Sequence, residues 1–145
     1  MNEKLSGRVY AFNSAQGLVE LALILPVLLL LVVGALDIGR AFHMKIVLEN
    51  AAREGAYFMV YNPVDGKADN FAKAKEAAIF EAENSGINLQ PAQITVSCLN
   101  GETVNNNCPG GSDVQVVVTQ QMDFIVLQIF SGPLQLSGQA RMLIP

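Results

Sequence analysis

The sequence predicts an α+β fold. It calls for a long N-terminal α-helix, membrane-spanning in its first half, followed by a small head of one further helix and an antiparallel sheet of about three to four strands. Three observations carry this. Residues 18–36 are apolar except for Glu20. No proline interrupts the chain between Pro26 and Pro63, so the helix is expected to continue past the apolar run. From Gln93 onward the apolar residues recur with a period of two, which is the period of a strand with one buried face.

Residues 18–36 supply the ~20 apolar positions that a helix needs to cross a bilayer. Pro26 would remove one backbone bond from a helix interior, a loss that membrane helices tolerate. Lys4 and Arg8 precede the run and only Glu3 opposes them. The positive-inside rule therefore places the N-terminus in the cytoplasm and residues 40–145 outside. A cleaved secretory signal is one reading, with Val33-Gly34-Ala35 as a small-x-small cleavage site. A plain single-pass anchor is a second, but it leaves unexplained a carboxylate one turn into the lipid, where a mid-bilayer charge costs roughly 2.5–3.5 kcal/mol.

The third reading is a leader cut on the cytoplasmic side of the apolar run. A basic leader, the small residue Ala15 and Glu20 at the fifth position after a cut between Ala15 and Gln16 resemble the class III signals of type IV pilins. The usual residue before the cut is Gly, and here it is Ala15. Further motifs extend the resemblance: Val19-Glu20-Leu21-Ala22, Leu25-Pro26, Asp37-Ile38-Gly39-Arg40 and Ala51-Ala52-Arg53-Glu54-Gly55-Ala56. Over residues 14–57 the chain resembles the TadE-like pilins and pseudopilins of tight-adherence (Tad) pilus systems.

The resemblance implies a leader at 1–15, a mature helix at 16–61 with 18–36 in the membrane, and an extracytoplasmic head at 62–145. It implies a structural subunit of a pilus serving surface attachment and biofilm formation. The subunit would be held in the bacterial inner membrane with its head outside and then carried to the cell surface. Expected partners are copies of the chain or other pilins, a prepilin peptidase, and a pilus assembly platform with its ATPase. Glu20, Pro26, Asp37, Arg40, Arg53 and Glu54 are the residues implied for assembly. Two rivals are a type II secretion pseudopilin and a membrane-anchored extracellular binding module.

Beyond the bilayer, Lys45–Glu49 and Glu49–Arg53 are spaced i,i+4 and Asp37–Arg40 i,i+3, pairs that contribute ~0.2–0.5 kcal/mol each. Ala35/Gly39, Ala51/Gly55 and Ala52/Ala56 repeat small residues at a spacing that lets other backbones approach closely. Tyr57, Phe58 and Tyr61 are expected to contact the head. Residues 62–66 read as a turn. A second helix follows, capped near Asp69 or Asn70 and ended by Gly86, with Phe71, Ala74, Ala78 and Ala82 on one face.

Three strands are expected to bury Ile94, Val96 and Cys98; Val114, Val116 and Val118; and Leu134, Leu136, Ala140 and Met142. Residues 124–130 fit either a strand or a short helix. Cys98 and Cys108 flank a polar loop. A disulfide there would contribute roughly 2–3 kcal/mol and needs an oxidising compartment; the alternative is two free thiols in a cytosolic loop.

The net charge of −4, with scattered basic residues, provides no nucleic-acid footprint. The single histidine, His43, would have to serve any Ser-His-Asp set, and it lies near the membrane exit. Acidic residues lack metal-ligand spacing. Cys108-Pro109-Gly110-Gly111 lacks the lysine of a phosphate-binding loop. No enzymatic activity, cofactor or metal is expected.

Overall fold

A computed structural model describes residues 6–61, 69–101, 106–125 and 132–145, with side chains from Gln16 onward. The turn expected at 62–66 and residues 126–130 of the ambiguous segment lie outside the described residues.

The long helix α1 spans Ser6–Tyr61 and runs through Pro26 without a break. It begins ten residues before Gln16 and measures about 84 Å at 1.5 Å per residue. Its two halves live in different environments. From Gln16 to Leu36 almost every side chain is exposed, whereas Val47, Leu48, Ala51, Ala52, Ala56 and Met59 are buried. Only this second half has a head to pack against.

Helix α2 spans Asn70–Asn84. Asp69 caps it, accepting at Oδ1 from the Ala72 amide at 3.0 Å, which satisfies one of the first-turn amides that a helix leaves without partners. At the other end Gly86 has φ +80°. The Gly86 amide donates to the Glu83 carbonyl and the Ile87 amide to the Ala82 carbonyl, both at 2.9 Å. This paired closure favours glycine in the left-handed position. Ala74, Ala78 and Ala82 are buried and Phe71 half-buried, as the helical spacing predicts.

A short 3₁₀ turn at Pro91–Gln93 leads into β1 (Ile94–Leu99), so Gln93 precedes the first strand instead of opening it. Strands β2 (Asp113–Met122) and β3 (Leu134–Leu143) complete an antiparallel sheet in the order β1-β2-β3. Ile94 pairs with Val118 and Val116 with Ala140. The inward residues Ile94, Val96, Val114, Val116 and Val118 are buried against the helices. Leu134 departs from the expected pattern, being half exposed. It pairs with Met122 at the end of the sheet, four residues beyond the point where α1 crosses β3.

That crossing is at Gly138. A Cβ built there would lie 2.2 Å from the Leu48 carbonyl carbon and 2.4 Å from the Glu49 nitrogen, so backbone meets backbone. The two helices meet at Gly55, where a Cβ would lie 3.0 Å from the Ala74 carbonyl oxygen and 3.4 Å from the Ala78 Cβ. Since Ile87, just past α2, lies beside the Leu36–Met44 turns of α1, the helices run antiparallel. Met122 lies beside those same turns. One end of the head therefore sits where α1 leaves its apolar run, and the disulfide end points away.

Cys98 and Cys108 are bonded, with S–S 2.02 Å and Cα–Cα 5.4 Å. The bond closes the loop between β1 and β2, and that loop reaches α2. The Phe71 amide donates to the Asn106 carbonyl at 3.2 Å, and Asn106 Nδ2 donates to Asp69 Oδ2 at 3.1 Å. The capping carboxylate thus serves its own helix with one oxygen and the loop with the other.

Candidate assembly surface

The site residues named from sequence lie along α1, apart from the two cysteines, and they sort by helix face. Stepping from Asp37 to Met44, Leu48, Gly55 and Met59 follows the face that meets the head, at intervals of seven and four. The opposite face carries Ile38, Phe42, Ile46, Tyr57 and Tyr61, all exposed. As far as Ile46 this row continues the apolar residues 16–36; the exposed Arg53 and Glu54 then interrupt it before Tyr57 and Tyr61, and no described element covers it.

Asp37 is only 3% exposed and lies 3.7 Å from Arg40 Nη1. It belongs to the head-facing side, so its charge is held inside the subunit, while the Arg40 guanidinium is mostly solvent-facing. Arg53 and Glu54 are exposed. Arg53 donates to Asn50 Oδ1 at 3.3 Å, and the Glu49–Arg53 pair expected from spacing does not form, because Glu49 is taken by Lys45 at 3.1 Å. Glu20 is exposed on the apolar half and makes no ion pair among the described residues. Ala15 and Gln16 lie within the continuous helix. Pro26 is exposed in the apolar run, and its missing N–H leaves the Ala22 carbonyl without its usual helical donor.

Two expectations are corrected on this helix. Tyr57 and Tyr61 do not contact the core: their rings pack on each other, centroids 4.4 Å apart, on the exposed face. Of the three aromatics only Phe58 packs against the head. The small-residue pairs also divide. Ala51, Ala52, Gly55 and Ala56 are buried by the chain's own head, so their closeness to other backbones is satisfied within the subunit. Ala35 and Gly39 remain open, with nothing within 4 Å of a Cβ placed at Gly39.

Residue-level pattern reading passed over Gly138, which decides how closely α1 docks on the sheet. The signal was available, since a glycine inside a strand often marks a close backbone approach.

The Gln16–Tyr61 portion of α1 is the one helix among the described residues long and apolar enough to cross a membrane. A scan against family models places the same segment. Residues 15–56 match the family described as TadE-like protein. The TadE-like segment covers the apolar half of α1 and its continuation to Ala56, and leaves α2 and the sheet outside. It bears out the resemblance drawn from Val19-Glu20, Leu25-Pro26 and the Asp37-to-Arg40 exit, and it points to a protein associated with Tad pili. No curated protein and no solved structure matches the chain. Among the described residues no three His, Cys, Asp or Glu side chains gather as metal ligands.

Proposed function

We propose that the chain is a pilin, minor pilin or pseudopilin subunit of a Tad-type pilus, stored in the inner membrane and built into a filament through α1. The observation that carries this reading is the exposed apolar face of α1. It runs from the apolar start of the TadE-like segment to Ile46 and returns at Tyr57 and Tyr61 past the exposed Arg53 and Glu54, beside a head that covers only the other side. A monomer in water would not keep so large an apolar surface. Lipid covers its first half before assembly, and neighbouring helices cover the whole stripe afterwards.

In this reading a prepilin peptidase cuts between Ala15 and Gln16. The bond lies inside a continuous helix, so the peptidase must open about a turn of it to reach the carbonyl. The cut creates an ammonium at Gln16, and Glu20 becomes the fifth residue. A neighbour's ammonium meeting the Glu20 carboxylate offsets the cost of a charge held among apolar side chains. An assembly platform driven by a cytoplasmic ATPase draws the subunit out of the membrane. The filament then serves attachment and biofilm formation.

N-terminal sequencing of membrane and pilus fractions tests the processing step. A mature chain beginning at Gln16 is expected; one beginning at Met1 or Leu36 overturns the reading. Glu20→Ala is expected to leave membrane insertion intact and to lower pilus yield, scored by alkaline extraction and by shearing. Wild-type pilus yield from that variant removes the role given to Glu20.

A further inference from the structure

Where α1 leaves its apolar run, a cleft of about 440 Å³ opens between the helix and the near end of the head. Leu36, Gly39, Arg40 and His43 line it from α1, Ile87 from the turn after α2 and Met122 from the end of β2. The volume falls within the roughly 300–1,000 Å³ typical of small-molecule sites. Its walls are mainly apolar and its charges lie on one side, on α1. Gly39 and Gly86 line it, and a Cβ at either would meet nothing within 4 Å.

The height of the cleft identifies what fills it. The apolar residues 18–36 measure about 28 Å along a helix, close to the ~30 Å hydrocarbon core of a bilayer. The cleft begins at Ala35 and rises to Met44, so it straddles the boundary between acyl chains and headgroups. Lipid is the medium on its lower side. Two exposed apolar residues belong to the same end of the head: Leu134, paired with Met122, and Ile125, three residues after it. The Arg40 guanidinium lies 3.7 Å from Asp37 through Nη1, and its side chain is 57% exposed. A guanidinium carries five N–H donors, so donors remain for a phosphate, which it suits in geometry.

We propose that this cleft binds one phospholipid of the leaflet on the head's side, with an acyl chain over Gly39 between Leu36, Ile87 and Met122 and the phosphate at Arg40. The proposal rests on the membrane-anchored reading above. A bound lipid would seat the head on the membrane surface, and it would have to leave when the subunit is extracted.

The test uses the full chain in phosphatidylethanolamine–phosphatidylglycerol vesicles containing a phosphatidylglycerol with a diazirine on its acyl chain. Adducts are mapped by mass spectrometry after irradiation. Labels are expected on residues 16–36 and, separately, on Ile87 and Met122. Gly39→Leu should fill the cleft and lower the Ile87 and Met122 labels severalfold while sparing those on 16–36. Arg40→Gln should lower them as well, which gives a second route should the leucine variant misfold. Labelled 16–36 with unlabelled Ile87 and Met122 overturns the lipid site and leaves the anchor standing. Labels at Ile87 and Met122 that vanish as protein density in the vesicle rises assign the cleft to a second copy's helix and overturn the proposal. An unlabelled 16–36 removes the anchored reading, and the lipid site with it.

Discussion

At the scale of single residues, the same glycine-to-alanine change should have opposite signs at two places on this chain. Gly138→Ala drives a methyl into the Leu48 carbonyl and the Glu49 nitrogen, and backbone cannot swing aside as a flexible side chain can. Overpacking of this kind typically costs about 1–3 kcal/mol, and the variant should unfold at correspondingly lower urea. Gly39→Ala meets no atom within 4 Å and removes the helical disadvantage of glycine, so the helix should gain up to about 1 kcal/mol. Urea melts of the two detergent-solubilised variants beside the parent check both signs; equal effects would contradict the docking of α1 on β3. Gly39 was legible in the sequence as a small residue on a helix. Gly138 was legible only as a place of close backbone approach, because strand alternation records side chains and does not say that a helix backbone crosses there. Asp69 was legible as a cap, while its second contact, with Asn106, depends on a loop closure that no local pattern encodes.

At the scale of elements, most of the architecture was legible because each element carries its own period. The α2 face of Phe71, Ala74, Ala78 and Ala82 and the strand faces built on Ile94 and Val114 follow directly from 3.6- and 2-residue spacing. What escaped was the choice of partner. Ala51/Gly55 and Ala52/Ala56 permit a close approach, and only the folded chain shows that α2 and the sheet make it. Tyr57 and Tyr61 were placed against the head by composition, whereas they sit across the helix from Gly55 and Met59. One coupling between elements is testable. The Cys98–Cys108 bond restrains a loop whose Asn106 accepts from the Phe71 amide and donates to Asp69. Replacing both cysteines by serine should cost about 2–3 kcal/mol through the unfolded state. It should also hasten hydrogen exchange at Phe71 more than at Val116 in the sheet interior. Equal acceleration at both amides would mean that the loop does not hold α2.

At the scale of the whole molecule, the chain is a head bound to one side of a helix whose other side is left bare. If the bare face is the filament contact proposed above, that division separates stability from assembly. Phe42, Ile46, Tyr57 and Tyr61 are exposed, and the exposed Arg53 donates to Asn50 of its own helix. Surface substitutions away from special features stay within about ±0.5 kcal/mol, so Phe42→Ala and Arg53→Ala should leave the urea midpoint of the solubilised subunit almost unchanged. Both should reduce sheared pilus yield, because each strips the bare face of a side chain that a neighbouring helix would contact. Leu48→Ala gives the converse. It empties a fully buried position between α1 and the sheet, where such a truncation costs about 2–5 kcal/mol, and pilus yield should fall only as far as subunit abundance falls. Measuring midpoint, abundance and pilus yield for the three variants separates the two roles. If Phe42→Ala and Arg53→Ala assemble as the parent does, the bare face is not the filament contact, and the stripe from Ile38 to Tyr61 must serve another surface.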